Sequence, residues 1–223
     1  MIFPEGMSSI SGANQPVAIG TGKFIKHFKL PVYYSVIKGA SLTSPKFNLN
    51  YRCGTIEVDI DQLFTKEDLE KLTPEEIEDK INTAIYHDDY AWNKEKQYHY
   101  DIGETGAEHL EDLIFWCPKC GKLHTLKGTG NEFKCENCGN GGTLQDTYDI
   151  IPFDDTCVIP KTLTKWFNAQ REVIKEMVLD ENFSLTEKIK LGMIPKTHTL
   201  KDQKTSEIVG EGTLTLDRTG LSY

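Results

Sequence analysis

Four cysteines carry the most specific chemistry in this 223-residue chain. Cys117-Pro118-Lys119-Cys120-Gly121 and Cys135-Glu136-Asn137-Cys138-Gly139 are two CxxC knuckles, separated by fourteen residues. Four thiolates on two tight turns make the closed tetrahedral cage that zinc takes in structural sites. A glycine after each second cysteine lets the backbone turn without steric cost. The expected ligands are therefore Cys117, Cys120, Cys135 and Cys138, and the expected cofactor is a structural zinc ion. A redox-active dithiol is the lesser reading, because one metal accounts for two symmetric pairs together. His124 is expected on the surface, since four sulfurs already complete the shell. Such a cage has no open position at which to activate water, so it stabilises a module or a surface. Cys53 and Cys157 stand alone and read as small buried hydrophobes.

A second candidate site lies at the front, in Phe3-Pro4-Glu5-Gly6. Phe3 would anchor the end of a strand and Pro4 would stiffen its exit. Gly6 would let the backbone approach a ligand, with Ser8 and Ser9 as donors to an oxyanion. Glu5 is acidic where an anion would bind, which argues for a structural or hydroxyl-positioning role. The plain alternative is an acidic turn after a strand.

Positioning these residues requires a set of elements. Met1–Phe3 reads as the stub of a strand, and residues 7–20 as a polar, glycine-containing loop. TGKFIKHF offers a short helical face. LPVYYSVI at 30–37 is a nearly continuous apolar run, which suits a strand covered on both faces. Strand, loop, helix and strand would make a right-handed βαβ unit. GTIEVDI at 54–60 alternates and reads as a further strand near an edge. Thr65 with Asp68, and Thr73-Pro74-Glu75-Glu76, are helix-start signals, and Ile77, Ile81, Ala84 and Ile85 form one stripe. Tyr86–Tyr100 is aromatic-rich and gives no firm assignment. KLHTL and EFKC are expected to pair around a KGTGN turn as a zinc ribbon. Leu163–Val178 reads as a helix, followed by strands in EKIKLGMI, SEIVG and GTLTLD and a turn at Asp217-Arg218-Thr219-Gly220. These last strands suit a small antiparallel, barrel-like domain.

The order FPEG, polar loop, TGKFIKHF and LPVYYSVIKGA resembles the phospholipid/glycerol acyltransferase family, the lysophosphatidic acid acyltransferase-like enzymes. In that family FPEG ends one strand and a proline-started apolar strand follows, here Pro31 to Val36, with Gly39 beyond it. The resemblance covers about the first sixty residues. It implies an α/β fold, the C-terminal part of a mixed-sheet acyltransferase domain (residues 1–100), to which the four-cysteine zinc ribbon (101–145) and the helix and antiparallel strands (146–223) read from the residues are an elaboration. It also implies transfer of a fatty acyl group from acyl-CoA or acyl carrier protein to a lysophospholipid, 1-acylglycerol-3-phosphate-like acceptor. Phe3, Pro4, Glu5, Gly6 and Ser8 would bind that acceptor, and the full-length protein would work at a membrane surface, in the cytoplasm or on its cytoplasmic face. Two departures stand out. Met7, Ser8 and Ser9 replace the family's threonine, phosphate-binding arginine and serine. The family's His-x4-Asp block is missing, since none of His27, His87, His99, His109, His124 and His198 has an aspartate five residues on. Loss of the general base costs on the order of 10²–10⁴-fold in rate. The chain is therefore expected to be inactive, and both ends, which cut through expected strands, suggest a piece of a longer protein. The alternative is a non-catalytic zinc-ribbon binding module, or a subunit that binds a lipid surface or a partner.

Charge limits the partners. The net charge is −9, yet residues 1–50 carry five lysines against Glu5 alone, while residues 51–116 carry six basic and eighteen acidic residues. The basic front suits an anionic substrate or lipid surface, and the acidic total disfavours wholesale nucleic-acid binding. Hydrophobic residues at 38% and charged residues at 26% are ordinary for a folded chain. Nothing resembles a membrane-spanning run or a signal peptide, and CxxC pairs without one point to a reducing compartment.

Overall fold

The computed structural model describes residues 1–48, 50–193 and 207–223, so Ile194, His198 and Ser206 lie outside the described residues. The protein is α/β, with three separate antiparallel sheets among those residues. It divides into two compact units, Met1–Gln170 and Arg171–Tyr223.

The first element is helix α1, Thr21–Phe28, bounded by Gly20 and Lys29 in left-handed conformation. Strand β1, Val32–Lys38, leads into a single turn, α2, Ala40–Thr43. Strand β2, Glu57–Phe64, pairs antiparallel with β1, running from Val32 opposite Phe64 to Lys38 opposite Glu57. Helices α3, Lys66–Lys71, and α4, Pro74–Ile85, both start on full capping boxes, Thr65 with Asp68 and Thr73 with Glu76, as their sequence signals require. Ile77 and Ile81 of α4 pack against Ile25 of α1, with Val17, Phe64 and Leu69 completing this small core. The two helices approach so closely at Gly22 that a Cβ there would lie 2.0 Å from the Pro74 carbonyl oxygen. The aromatic-rich stretch that gave no assignment contains α5, Asp89–Lys96, capped by the Asp88 carboxylate accepting from the Ala91 N–H.

The cysteine module follows. Strands β3, Leu126–Thr129, β4, Glu132–Cys135, β5, Gly141–Leu144, and β6, Ile150–Pro152, form one four-stranded antiparallel meander in chain order. Helix α6, Leu163–Leu179, sends Leu163 and Trp166 into the same core as Leu42, Tyr100, Leu110, Ile114, Phe133 and Leu144. The module therefore shares one continuous core with the residues before and after it. Fully burying each such side chain contributes about 1.5–3 kcal/mol. In the second unit β7, Ser184–Met193, β8, Glu207–Asp217, and β9, Gly220–Ser222, make a three-stranded antiparallel sheet.

Several expectations are corrected. Met1–Phe3 is not a strand, and Phe3 is 81% exposed rather than anchored. Among the described residues no βαβ unit forms, because the strand paired with β1 there is β2, which comes later in the chain and runs antiparallel. A mixed sheet is likewise replaced by antiparallel ones. β1 is not covered on both faces: it alternates, with Tyr33 and Ile37 exposed, because a two-stranded sheet has only one face packed on α4. The first strand of the cysteine module begins only at Leu126, the last residue of KLHTL, and runs on to Thr129; Leu123 makes only an isolated bridge to Trp116. Residues 207–210 of SEIVG and all of GTLTLD belong to one strand, β8, and among the described residues the second unit's strands form an open three-stranded sheet and no barrel. Cys53 is exposed and Cys157 half-buried, so neither is a core residue.

Candidate metal centre

The two knuckles are built alike. The Cys117 N–H donates to the Lys122 carbonyl at 3.0 Å, and the Cys135 N–H to the Asn140 carbonyl at 2.7 Å. Gly121 and Gly139 then return their N–H groups to the Cys117 and Cys135 carbonyls, at 2.8 and 2.9 Å. Both glycines have positive φ, 73° and 76°, which side-chain-bearing residues rarely adopt. These turns aim four thiols at one point.

The four Sγ atoms lie within 4.8 Å of one another, so the structure brings together all four cysteines singled out from the sequence. Cys117 and Cys138 are 3.7 Å apart, and Cys120 and Cys135 3.8 Å. Four sulfurs at a Zn–S distance of about 2.3 Å stand about 3.8 Å apart at the corners of a tetrahedron. The cage can therefore hold a metal ion, and its size and donor set are compatible with zinc. Burial pushes the Cys117 thiol up to about 12. Burial works in the same direction on Cys135, but the Thr125 hydroxyl and the N–H groups of Cys138 and Asn137 outweigh it and bring that thiol down to about 6. Thr125 Oγ1 lies 3.2 Å from Cys135 Sγ. A divalent cation would replace the protons these sulfurs otherwise share.

Outer contacts tie the cage to the rest of the first unit. Asn140 is fully buried; its amide nitrogen sits 3.7 Å from Cys117 Sγ and donates to the Val158 carbonyl at 3.0 Å. Its Oδ1 accepts from the Val158 N–H at 2.6 Å. Gln170 of α6 reaches back to the residues before the first knuckle, accepting from the Phe115 N–H at 3.0 Å and donating to the Leu113 carbonyl at 2.8 Å. His124 is exposed, stacked on Phe115 with centroids 5.3 Å apart, and takes no part in the cage. Sequence reasoning did not find Asn140, Thr125 or Gln170, because no spacing rule marks a side chain that acts through a folded contact.

The front residues form a different object. Phe3 to Gly6 is a turn closed by the Gly6 N–H on the Phe3 carbonyl at 3.1 Å. Glu5 accepts from the Gln15 N–H at 2.7 Å, and the Pro4 carbonyl from the Ala18 N–H at 2.7 Å. Further along the loop, Glu78 accepts from the N–H groups of Gly20 and Gly22, at 2.9 and 3.0 Å. The loop N–H groups of Gln15, Gly20 and Gly22 are thus engaged by the protein's own acids, and the Ser9 hydroxyl donates to the Ala13 carbonyl at 2.7 Å. Ser8 is exposed at the surface. Two open grooves, of about 430 and 470 Å³, lie around Tyr100–Gly103 and beside Leu63 and Thr83, and neither includes a front residue or a cysteine.

One histidine lies against a buried carboxylate although no His-x4-Asp spacing exists. His87 Nε2 is 2.9 Å from Asp89 Oδ1, but out of hydrogen-bond alignment. Asp89 is occupied in holding the turn after β1, accepting from the Gly39 N–H at 2.6 Å and the Ser41 N–H at 2.8 Å. Among the described residues no helix is long and apolar enough to cross a membrane. No protein-family model matches the chain, and no curated protein or solved structure matches it.

Proposed function

We propose that this chain is a non-catalytic binding module whose fold depends on one structural zinc ion held by Cys117, Cys120, Cys135 and Cys138. The observation that carries the reading is the sulfur cage itself: four thiols at tetrahedral spacing, on two matched turns, with no position left for water or substrate. A centre of this kind supplies folding free energy rather than chemistry. Its surroundings agree, because Asn140, Trp166 and Gln170 connect the cage to the core and to α6 instead of to a pocket.

Acyl transfer, the expectation from the family resemblance, is the weaker reading of this geometry. Its support is the order of FPEG and the Pro31–Val36 strand. The Gly6 N–H closes its own turn and the Ser9 hydroxyl donates to the Ala13 carbonyl, and His87 faces an aspartate already committed to two backbone N–H groups.

The test is a metal count with an activity assay on the same sample. One zinc per chain by elemental analysis, with loss of cooperative thermal unfolding after chelation, is the expected result. A purified chain with no bound zinc and an unchanged melt overturns the structural-zinc reading. Turnover of acyl-CoA with a lysophospholipid acceptor overturns the non-catalytic one.

A further inference from the structure

The β1–β2 sheet has only two strands, so the outer edge of β2 has no partner strand among the described residues. An unpaired edge offers a row of backbone donors and acceptors to any strand that fits. β2 specifies what fits. Glu57, Asp59 and Asp61 alternate with Val58, Ile60 and Gln62, so one face of the edge is acidic and the other uncharged, with Val58 and Ile60 as its aliphatic part. The aliphatic face is open: Ile60 is 71% and Val58 53% exposed, and Ile37, opposite Val58, is 54% exposed. On the acidic face Asp59 pairs with Lys38 at 2.5 Å, whereas Asp61 has no cationic partner among the described residues. Two β2 edges cannot pair with one another, because their carboxylates would stand opposite each other.

The complementary strand is present in the same sequence. Among the described residues β7 is an edge strand of its own sheet, with Lys188 and Lys190 on one face and Ile189 and Leu191, beside Glu187, on the other. Because both strands repeat every two residues, an antiparallel pairing that sets Lys188 and Lys190 opposite Asp61 and Asp59 also sets Ile189 and Leu191 opposite Ile60 and Val58, and Glu187 opposite Gln62. We propose that the free edge of β2 receives β7 of a second copy of this chain. The contact joins two different surfaces, so it is heterologous and propagates head to tail into a ring or a filament. This inference stands independently of the zinc reading.

Sedimentation velocity on the metal-loaded full chain tests it. The weight-average mass rises with protein concentration and falls at high salt, which screens the lysine–aspartate contacts. Lys188→Glu/Lys190→Glu and Asp59→Lys/Asp61→Lys each weaken association, by on the order of tenfold or more. An equimolar mixture of the two variants regains it, since every edge again meets its opposite charge. Should the β2 variant fail to fold, the β7 variant keeps the test: a peptide of residues 184–193 must bind it through the intact β2 edge and must inhibit association of the wild type. A wild type that stays monomeric at every concentration overturns the proposal. So does association that ignores both variants, and so does concentration-independent amide protection of β2, which would place its partner within the same chain.

Discussion

The Trp166 indole N–H donates to the Trp116 carbonyl at 2.8 Å, one residue before the first cysteine of the cage. Trp166 is fully buried, with its ring edge-on to Phe133 of β4 at 5.6 Å. Helix α6 and the first knuckle are therefore joined through a reporter side chain. Removing the metal releases the knuckle and unpacks that contact, so chelation should red-shift and weaken tryptophan emission together with the loss of tertiary structure. Re-addition of zinc should restore both. Cys135→Ser should abolish the response, because a three-sulfur site leaves the cage open. An emission spectrum indifferent to chelation in a zinc-loaded sample would show that the cage and α6 are not coupled.

Asn140 is expected to act as a positioning residue for the same centre. Asn140→Leu keeps the volume but strands the Val158 N–H and carbonyl, which the amide now satisfies. Each buried polar group left unpaired costs about 1–3 kcal/mol. The amide also approaches Cys117 Sγ, and loss of an outer contact of this kind lowers metal affinity by about 10–100-fold. Competition against a chromophoric chelator reads the affinity, and denaturant melts of the zinc-saturated protein read the stability.

Arg52 presents a separate prediction about the core. It is 3% exposed, and its guanidinium donates to the Tyr148 hydroxyl at 2.6 Å and the Gly106 carbonyl at 2.8 Å, with no carboxylate partner among the described residues. The charge is balanced by neutral acceptors and by the rings of Phe47 and Tyr148, whose centroids lie 5.5 and 5.2 Å from the guanidinium carbon. Tyr148→Phe removes one acceptor from a buried cation, which should destabilise the first unit by roughly 1.5–3 kcal/mol. Arg52→Met removes the charge as well as its needs and should cost less than Arg52→Lys, which keeps the charge but loses the planar fork. Thermal melts of the three variants rank them.

Acid should loosen α3 and α4 through their caps. The Thr65 backbone N–H and then its hydroxyl hold Asp68 below the usual carboxylate range, and Thr73 does the same for Glu76. For a carboxylate whose pKa is lowered on folding, the contribution is complete above the unfolded values, about 3.9 for Asp and 4.3 for Glu. It is lost as pH falls through the lower folded values. Helical ellipticity should therefore decline below about pH 4, and Thr65→Val/Thr73→Val should flatten part of that decline by removing the hydroxyl donor to each acid while the backbone N–H stays. An acid titration monitored by circular dichroism, identical for the variant and the wild type, would exclude the cap hydroxyls as a source.

Local chemistry was legible where it is short-range. The capping boxes at Thr65 and Thr73, the two knuckles and the α6 stripe each depend on residues within a few positions of one another. The front of the chain misled for the opposite reason. An apolar run such as Pro31–Ile37 states that a strand forms, but its burial and direction depend on which strand pairs with it. Here that strand is β2, and the pairing leaves Tyr33 and Ile37 at the surface. FPEG likewise states a turn; its Glu5 is committed by Gln15, ten residues away.

By itself the sequence determined which four thiols could hold a metal ion, because a CxxCG turn aims its sulfurs through local backbone geometry alone. It also determined the alternation of charge and aliphatic residues along β2 and β7. Only the tertiary structure decided that the four sulfurs of the two knuckles meet within 4.8 Å, that Asn140 and Trp166 bind the cage to one core, and that both alternating strands lie at sheet edges among the described residues. Those are contacts between residues distant in the chain, set by which surfaces are buried together and not by any interval that can be counted along it.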